Sequence, residues 1–593
     1  MSGTDAATGA ALGVEESLSR RRWVWRQGEE RVGLGIAQRL GVPEVVGRLL
    51  AARGVGPERA GVFLDPTLRA LLPDPSSLCD MDAAAERLAR AVRESETVAV
   101  FGDYDVDGAC SGAVLAGLLR ELGCPVLSYV PDRLSEGYGP NAGALRRLAA
   151  QGATLVVCVD CGTAAGEALA ALRGEADAVV LDHHKAEGDL PEILATVNPN
   201  RLDCTSGMGT LCAAGIVFLT AVALVRTLRR DGFFSGRPEP DLMARLDLVA
   251  LATVCDVMPL TGLNRALVTQ GLRIMARRAR PGIAALLEVA QVRDRPSAAT
   301  LGFALGPRIN AAGRIDECDL GLKLLLAGDS LEARRLAERL DDVNRQRQAV
   351  EASMLAAALD SAEAQFAAGH AVALVAGEAW HPGVVGIVAG RIKERFNRPA
   401  CAAALAEGMA RGSGRSVTGL DLGSAVIAAR QAGLLATGGG HAMAAGFSLP
   451  ADKLDAFHAF LDERLSRAKA LPVAADLMVE GSVAVPGCTM DLAQALGRLA
   501  PFGNGNEEPT LVLPRVRVAR ADRVGREGAT VRVFLEGEGG GRLKGVMFRA
   551  ADGPVAAALL ARDRLLHMAG HLRAEEWNGS LSLSFIIRDA APA

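Results

Sequence analysis

The chain has 593 residues, too many for one hydrophobic core, so three or four domains are expected. Its 11 cysteines are scattered along the chain, which argues against a disulfide scaffold and fits a reducing cytoplasm. The net charge of -4 excludes a globally basic nucleic-acid binder; any phosphate-binding surface must be a local one.

The first 75 residues read as an Arg-containing leader with Trp23 and Trp25 in a basic setting, ending in the loop LLPDPSSL. They contain no secretory apolar core. From 76 to about 265 the chain alternates short Val-rich runs with Ala-rich helical stretches, the pattern of βα units in a parallel sheet buried on both faces. Three of these runs end in acid. VAVFG runs into Asp103, Asp105 and Asp107, LVVCV into Asp160, and AVVL into Asp182, His183 and His184. The Ala-rich segment Leu211 to Val225 is too short to span a bilayer and reads as a buried helix, so no membrane association is expected.

Residues 266 to 360 read as a helical connector, with a long helix over Leu331 to Leu359 where apolar positions recur at helical spacing. A second α/β pattern occupies 361 to 468, with a Gly-rich second half. Past it, 469 to 593 alternate Val, Leu and Arg between Gly turns, which predicts an antiparallel barrel. Two stretches are locally basic. Arg391, Lys393, Arg395, Arg398, Arg411 and Arg415 are opposed only by Glu394 and Glu407, and from Leu511 to Arg549 Arg and Lys outnumber acids nine to four.

Ligands of open α/β sheets bind beyond the carboxyl ends of the strands, so the acidic tips are expected to meet in one crevice. Carboxylates that crowded stay together cheaply only around cations. An EF-hand loop also opens with DxDxDG, but its twelfth position, where a bidentate Glu belongs, holds Val114. A solvated acidic turn would account for one tip and poorly for three.

GDYDVDG, VDCG, LDHH and TVCDVMPL resemble the successive motifs of the DHH phosphoesterase superfamily. PDRLSEGYGP, SGMGTLCAAGIVF, GPRINAAGRI, WHPGVVGIVAGR, GSGRS, GGHAMAAG and PFGNGNEEP, in that order over roughly residues 75 to 590, are similar to its RecJ branch of single-strand-specific exonucleases. One departure from many DHH phosphatases is Phe101, where they carry a histidine; Asp103 stands nearby as the RecJ-style substitute.

The resemblance implies a parallel-sheet DHH domain, a DHH-associated α/β domain beyond the long helix, and a C-terminal OB-fold. It implies a two-metal 5′ to 3′ exonuclease that releases 5′-mononucleotides from single-stranded DNA in repair and recombination. One ion would be held by Asp103 and Asp105, the other by Asp107, His183 and Asp256, with Asp160 bridging. Mixed Asp and His ligation suits Mn²⁺ better than Mg²⁺, which prefers oxygen. His184 would be a further ligand or a contact to the scissile phosphate. Substrate contacts are expected from Arg133, Arg308, Asn310, Arg314, His381, Ser413, Arg415 and His441, with GSGRS as a phosphate cradle. Expected partners are a single-strand-binding protein and a helicase. Two other readings are a short-oligonucleotide or cyclic-dinucleotide phosphodiesterase of the same superfamily, and an inactive DHH scaffold of a replication complex.

Overall fold

The computed structural model describes residues 9 to 593 except 134, 187, 473, 526–527, 551–552 and 578–579. The chain divides into two compact units, one formed by 66–352 with 501–507, the other by the rest.

The first unit is built on a five-stranded sheet, ordered Val126–Tyr129, Val98–Gly102, Leu155–Val159, Asp177–Leu181 and Ala195–Val197, all parallel. Its central strands are fully buried because their alternate residues feed two cores. Val98, Val100, Leu155 and Val157 pack with Val114, Leu115 and Leu219 on one face, and Ala99, Phe101, Val156 and Cys158 with Leu145 and Leu148 on the other. A continuous Val-rich run is what burial on both faces requires. The strand Val98–Gly102 has one neighbour that follows it directly and one that comes after a further helix, so the sheet reverses direction beside it. The crevice of an open α/β sheet forms at such a reversal. The apolar segment near 211 is the buried helix Ala213–Arg230.

A π-helical turn, Leu301–Leu305, leads into the helix Gly306–Ile315, which carries the GPRINAAGR motif. Gly313 lets that helix close on the acidic tip, since a Cβ there would lie 2.7 Å from the Tyr104 carbonyl oxygen. The long helix runs Ser330–Ala367, longer at its C-terminal end than its apolar spacing predicts.

The second unit contains a five-stranded mixed sheet and a barrel. The sheet is ordered Thr437–His441, Ala444–Pro450, Met409–Arg415, Ala400–Ala406 and Ala373–Gly377. Thus GSGR and GGH lie in strands. Those glycines serve packing. A Cβ on Gly412 would meet Phe447 at 2.2 Å, and one on Gly414 would meet Leu422 at 2.6 Å. In the barrel, Leu511–Val524 pairs with both Thr530–Gly537 and Leu566–Trp577, closing the sheet, with register shifts that bend its long strands.

The leader is integral to this unit. Trp23–Trp25 pairs in parallel with Leu477–Val479, and fully buried Trp23 donates from Nε1 to Asp589 Oδ2 at 2.9 Å. Among the described residues no helix is long and apolar enough to cross a membrane.

Candidate metal centre and nucleic-acid surfaces

The strand Val98–Gly102 delivers the first acidic tip, and the turn after it is forced tight. Gly108 sits so close to the strand end that a Cβ would lie 2.4 Å from the Asp103 carbonyl oxygen. Asp105 caps the helix Val106–Glu121, accepting from the Asp107 and Gly108 amides at 2.8 and 3.1 Å. Asp107, in the first turn of that helix, is fully buried and accepts from the Ala213 and Ala214 amides at 2.7 and 2.9 Å. It therefore serves the open N-terminus of the helix Ala213–Arg230, whose own N-cap residue Cys212 supplies no side-chain bond.

Asp160 ends the neighbouring strand with φ of 61°, a left-handed conformation that Asp tolerates better than most residues. His183 Nε2 lies 3.3 Å from Asp160 Oδ1, 3.6 Å from Asp256 Oδ2 and 3.8 Å from Asp107 Oδ2. Three groups result, in each of which the potential ligand atoms lie within 4.8 Å of one another: Asp103, Asp105 and Asp160; Asp107, His183 and Asp256; and Asp160, His183 and His184.

The electrostatics match a cation site. Burial first, then neighbouring carboxylates, push the Asp103 and Asp256 carboxyls up to about 8 and raise Asp107 and Asp160 as well. Asp103 Oδ1, Asp160 Oδ1 and Asp256 Oδ2 are buried without hydrogen-bond partners. Oxygens left in that state are costly unless a cation completes them, so the residues present fit divalent ions.

Asp182 belongs to a different device. Its buried carboxylate accepts from the His183 and His184 amides at 2.8 and 3.2 Å and from Thr163 N at 3.1 Å, and lies 2.8 Å from His184 Nδ1. Burial, the largest single effect, opposes the charge on both groups, yet their mutual hydrogen bond and charge attraction, with the Thr163 bonds to Asp182 and the further acids around His184, together outweigh it. Asp182 is held below the usual carboxylate range and His184 rises to about 9.

Three residues around this site escaped the sequence reading. Tyr138 donates to the Asp160 carbonyl oxygen at 3.1 Å and meets the His184 ring edge-on, its own ring half exposed. Its signal was SEGYGP, where Gly137 and Gly139, both at positive φ, flank an aromatic. Asn198 donates to the His184 carbonyl at 2.8 Å and Asn200 to that of His183 at 2.6 Å, fixing the two-histidine turn. Their only trace in the sequence is the N-P-N triplet after a short strand.

Of the expected substrate contacts, Arg133 stacks its guanidinium 5.0 Å from the Tyr104 ring, between the acids, and Asn310 Oδ1 accepts from the Val106 amide at 3.1 Å. Arg314 lies at the end of the same helix as Asn310. Arg308 is committed to an ion pair with Asp341 at 2.8 Å.

In the other unit, Arg415 donates to Ser413 Oγ at 2.8 Å, and both press on Gly386 of the helix Val385–Phe396, where a Cβ would meet each at 3.2 Å. His441 pairs with Ala444, which pairs with Arg415, so the two share one end of the sheet. His381 precedes that helix, its Nδ1 accepting from the Gly383 amide at 3.1 Å.

The basic stretches contribute to a cavity of about 1300 Å³ in this unit, lined by Arg21, Lys393, Arg395, Arg549, Arg573 and Arg588 among others. Arg398 takes no part in it; it donates to the carbonyls of His370 and Lys469.

A parallel sheet whose strand tips bury Asp and His around unpaired carboxylate oxygens defines a metal-dependent phosphoesterase of the DHH class. Residues 97–253 match the DHH family N-terminal domain, 368–467 the DHHA1 domain and 479–589 the RecJ OB domain. Two relatives named single-stranded-DNA-specific exonuclease RecJ, from Dickeya dadantii and Escherichia coli, are 40% and 38% identical, each over 93% of this chain and 96% of its own length. The crystal structure of RecJ from Thermus thermophilus in complex with Mn²⁺ aligns with a TM-score of 0.79 at 29% identity, covering 96% of this chain and 79% of that one. A Mg²⁺ complex of the same protein aligns at 0.74. The chain belongs to the RecJ family of single-stranded-DNA-specific exonucleases.

Proposed function

We propose that this protein hydrolyses single-stranded DNA from the 5′ end to 5′-mononucleotides, using two divalent cations, Mn²⁺ in preference to Mg²⁺. The observation that carries this reading is the set of three buried, unpartnered carboxylate oxygens on Asp103, Asp160 and Asp256, aimed into one cluster. Asp103 and Asp105 would hold one ion; Asp107, His183 and Asp256 the other; Asp160 would touch both. When bound, the ions supply an activated water and neutralise charge on the reacting phosphate.

The chain's own groups do the rest. His184, kept protonated by Asp182, donates a hydrogen bond to a non-bridging oxygen of the scissile phosphate. In this role it is a substrate contact and not a ligand. Arg133, braced on Tyr104, offers a second cationic donor to the same phosphate. Arg415 and Ser413, at the open end of their sheet, hold a backbone or terminal phosphate, and the arginines of the large cavity track the strand by charge.

The family's repair and recombination role, a cytoplasmic location and delivery of strands by a helicase and a single-strand-binding protein follow from the same reading. The 11 cysteines, none of them in a disulfide, support the location.

The test is digestion of 5′-labelled and 3′-labelled single strands, duplexes and dinucleotides in Mn²⁺. Early release of the 5′ label from single strands is expected. Preferential cleavage of dinucleotides, or early loss of the 3′ label, would overturn the reading.

A further inference from the structure

The helix Leu246–Cys255 ends at Asp256 in a Schellman turn, with the Met258 amide donating to the Thr253 carbonyl at 3.1 Å and the Val257 amide to that of Val254 at 3.2 Å. The residue that must turn left-handed in this motif is usually glycine. Here it is Val257, with φ of 58°. A β-branched residue resists that conformation, and the Val257 side chain is 63% exposed, so burial does not offset the strain.

The restraint comes from a segment 247 residues further on. Asn504 Nδ2 donates to the Val257 carbonyl at 2.7 Å, and the Leu260 amide donates back to the Asn504 carbonyl at 2.7 Å. The loop is shaped for this contact. Gly503 and Asn506 bridge across it, a Cβ on Gly503 would strike Leu260 at 2.7 Å, and Gly505 takes φ of 68° against Pro259. Pro501–Glu507 lies within the RecJ OB domain match in sequence, yet it belongs to the compact unit that holds the acidic cluster.

We propose that Asn504 is a positioning residue for the metal centre: its amide clamps the strained Val257 turn and so aims the Asp256 carboxylate at Asp107 and His183. The proposal rests on the reading of Asp256 as a metal ligand. Without the clamp, Val257 relaxes toward ordinary φ, the turn opens, and Asp256 leaves the cluster. This gives the PFGNGNEEP motif a task at the metal centre although none of its side chains is among the candidate ligands.

Calorimetric titration of the full chain with Mn²⁺ tests it, beside thermal unfolding. Asn504 is exposed, so Asn504→Ala is expected to unfold with the parent while binding one Mn²⁺ about tenfold more weakly, the size of loss seen when a ligand's supporting partner is removed. Val257→Gly removes the strain. It is expected to bind Mn²⁺ as the parent does, and adding Asn504→Ala to it should cost less than about threefold, since glycine needs no clamp. Parental Mn²⁺ affinities in Asn504→Ala, or an undiminished tenfold loss in the Val257→Gly background, would overturn the proposal. Asp256→Ala separates the two readings. If it keeps both ions, the ligand assignment itself fails; if it loses one while Asn504→Ala loses none, only the clamp fails.

Discussion

Asp160 and Asp103 are both buried strand-tip carboxylates, but their neighbours differ. Asp160 shares a candidate ligand group with Asp103 and Asp105 and also lies, through Oδ1, 3.3 Å from His183 Nε2 of the second group, whereas Asp103 belongs to the first group alone among the described residues. Asp160→Ala is therefore expected to abolish hydrolysis and remove at least one Mn²⁺ by calorimetry. Asp103→Ala should keep the ion held by Asp107, His183 and Asp256 while activity falls severely. Full activity in folded Asp160→Ala protein would refute the site. In the other unit, Arg415→Ala should slow cleavage of 5′-phosphorylated strands and leave Mn²⁺ affinity unchanged. Loss of one charge-assisted contact costs about 1.5 to 3 kcal/mol, roughly ten- to hundredfold in rate. Equal rates for mutant and parent would remove Arg415 from the substrate path.

Secondary-structure elements place these residues through close approaches that only glycine permits. Gly412 lies in the Met409–Arg415 strand, so Gly412→Ala would drive a methyl group into Phe447 and the Ala402 carbonyl. A loss of about 1 to 3 kcal/mol, read from the urea midpoint, is expected for such overpacking. A neutral result would mean the sheet can shift to admit it. In the barrel strand Leu566–Trp577, burial lowers the affinity of His571 for a proton, with Arg588 and Arg573 acting in the same direction and Glu508 against them. The folded ring then binds a proton less readily than the unfolded chain. Its contribution to stability is full above about pH 6.5 and falls as acid approaches the depressed folded value. His571→Gln should flatten the dependence of melting temperature on pH between about 7 and 5 relative to the parent. An unchanged slope would assign that dependence to other groups.

On the scale of the whole molecule, the leader and the barrel form one structure. Trp23 fills a buried site beside Val479, Val512 and Ala591 and satisfies the carboxylate of Asp589. Trp23→Ala should cost about 3 to 5 kcal/mol through the cavity alone, with an orphaned Asp589 adding to it. Chemical denaturation would show it. The large basic cavity joins Arg21 of the leader to Arg549, Arg573 and Arg588 of the barrel, so binding of long strands should weaken steeply with salt. Charge reversal at Arg549 and Arg588 should reduce that salt slope, and an unaltered slope would leave the cavity without a role in strand binding.

Local chemistry was legible in the chain itself. Val-rich runs ending in Asp103, Asp160 and Asp182 are short-range patterns, and burial on both faces leaves little freedom in how such runs fold. The ordered motifs likewise revealed the family. Partnerships between separate elements were not legible, because a hydrogen bond between residues 33 to 566 positions apart leaves no periodicity. Asp107 beneath the helix that starts at Ala213, Arg308 taken up by Asp341, Trp23 against Asp589 and Asn504 on the Val257 turn are all of this kind. The packing role of the Gly-rich strands belongs here too, since what glycine permits at Gly412 and Gly414 depends on Phe447 and Leu422, side chains that only the folded sheet brings against them.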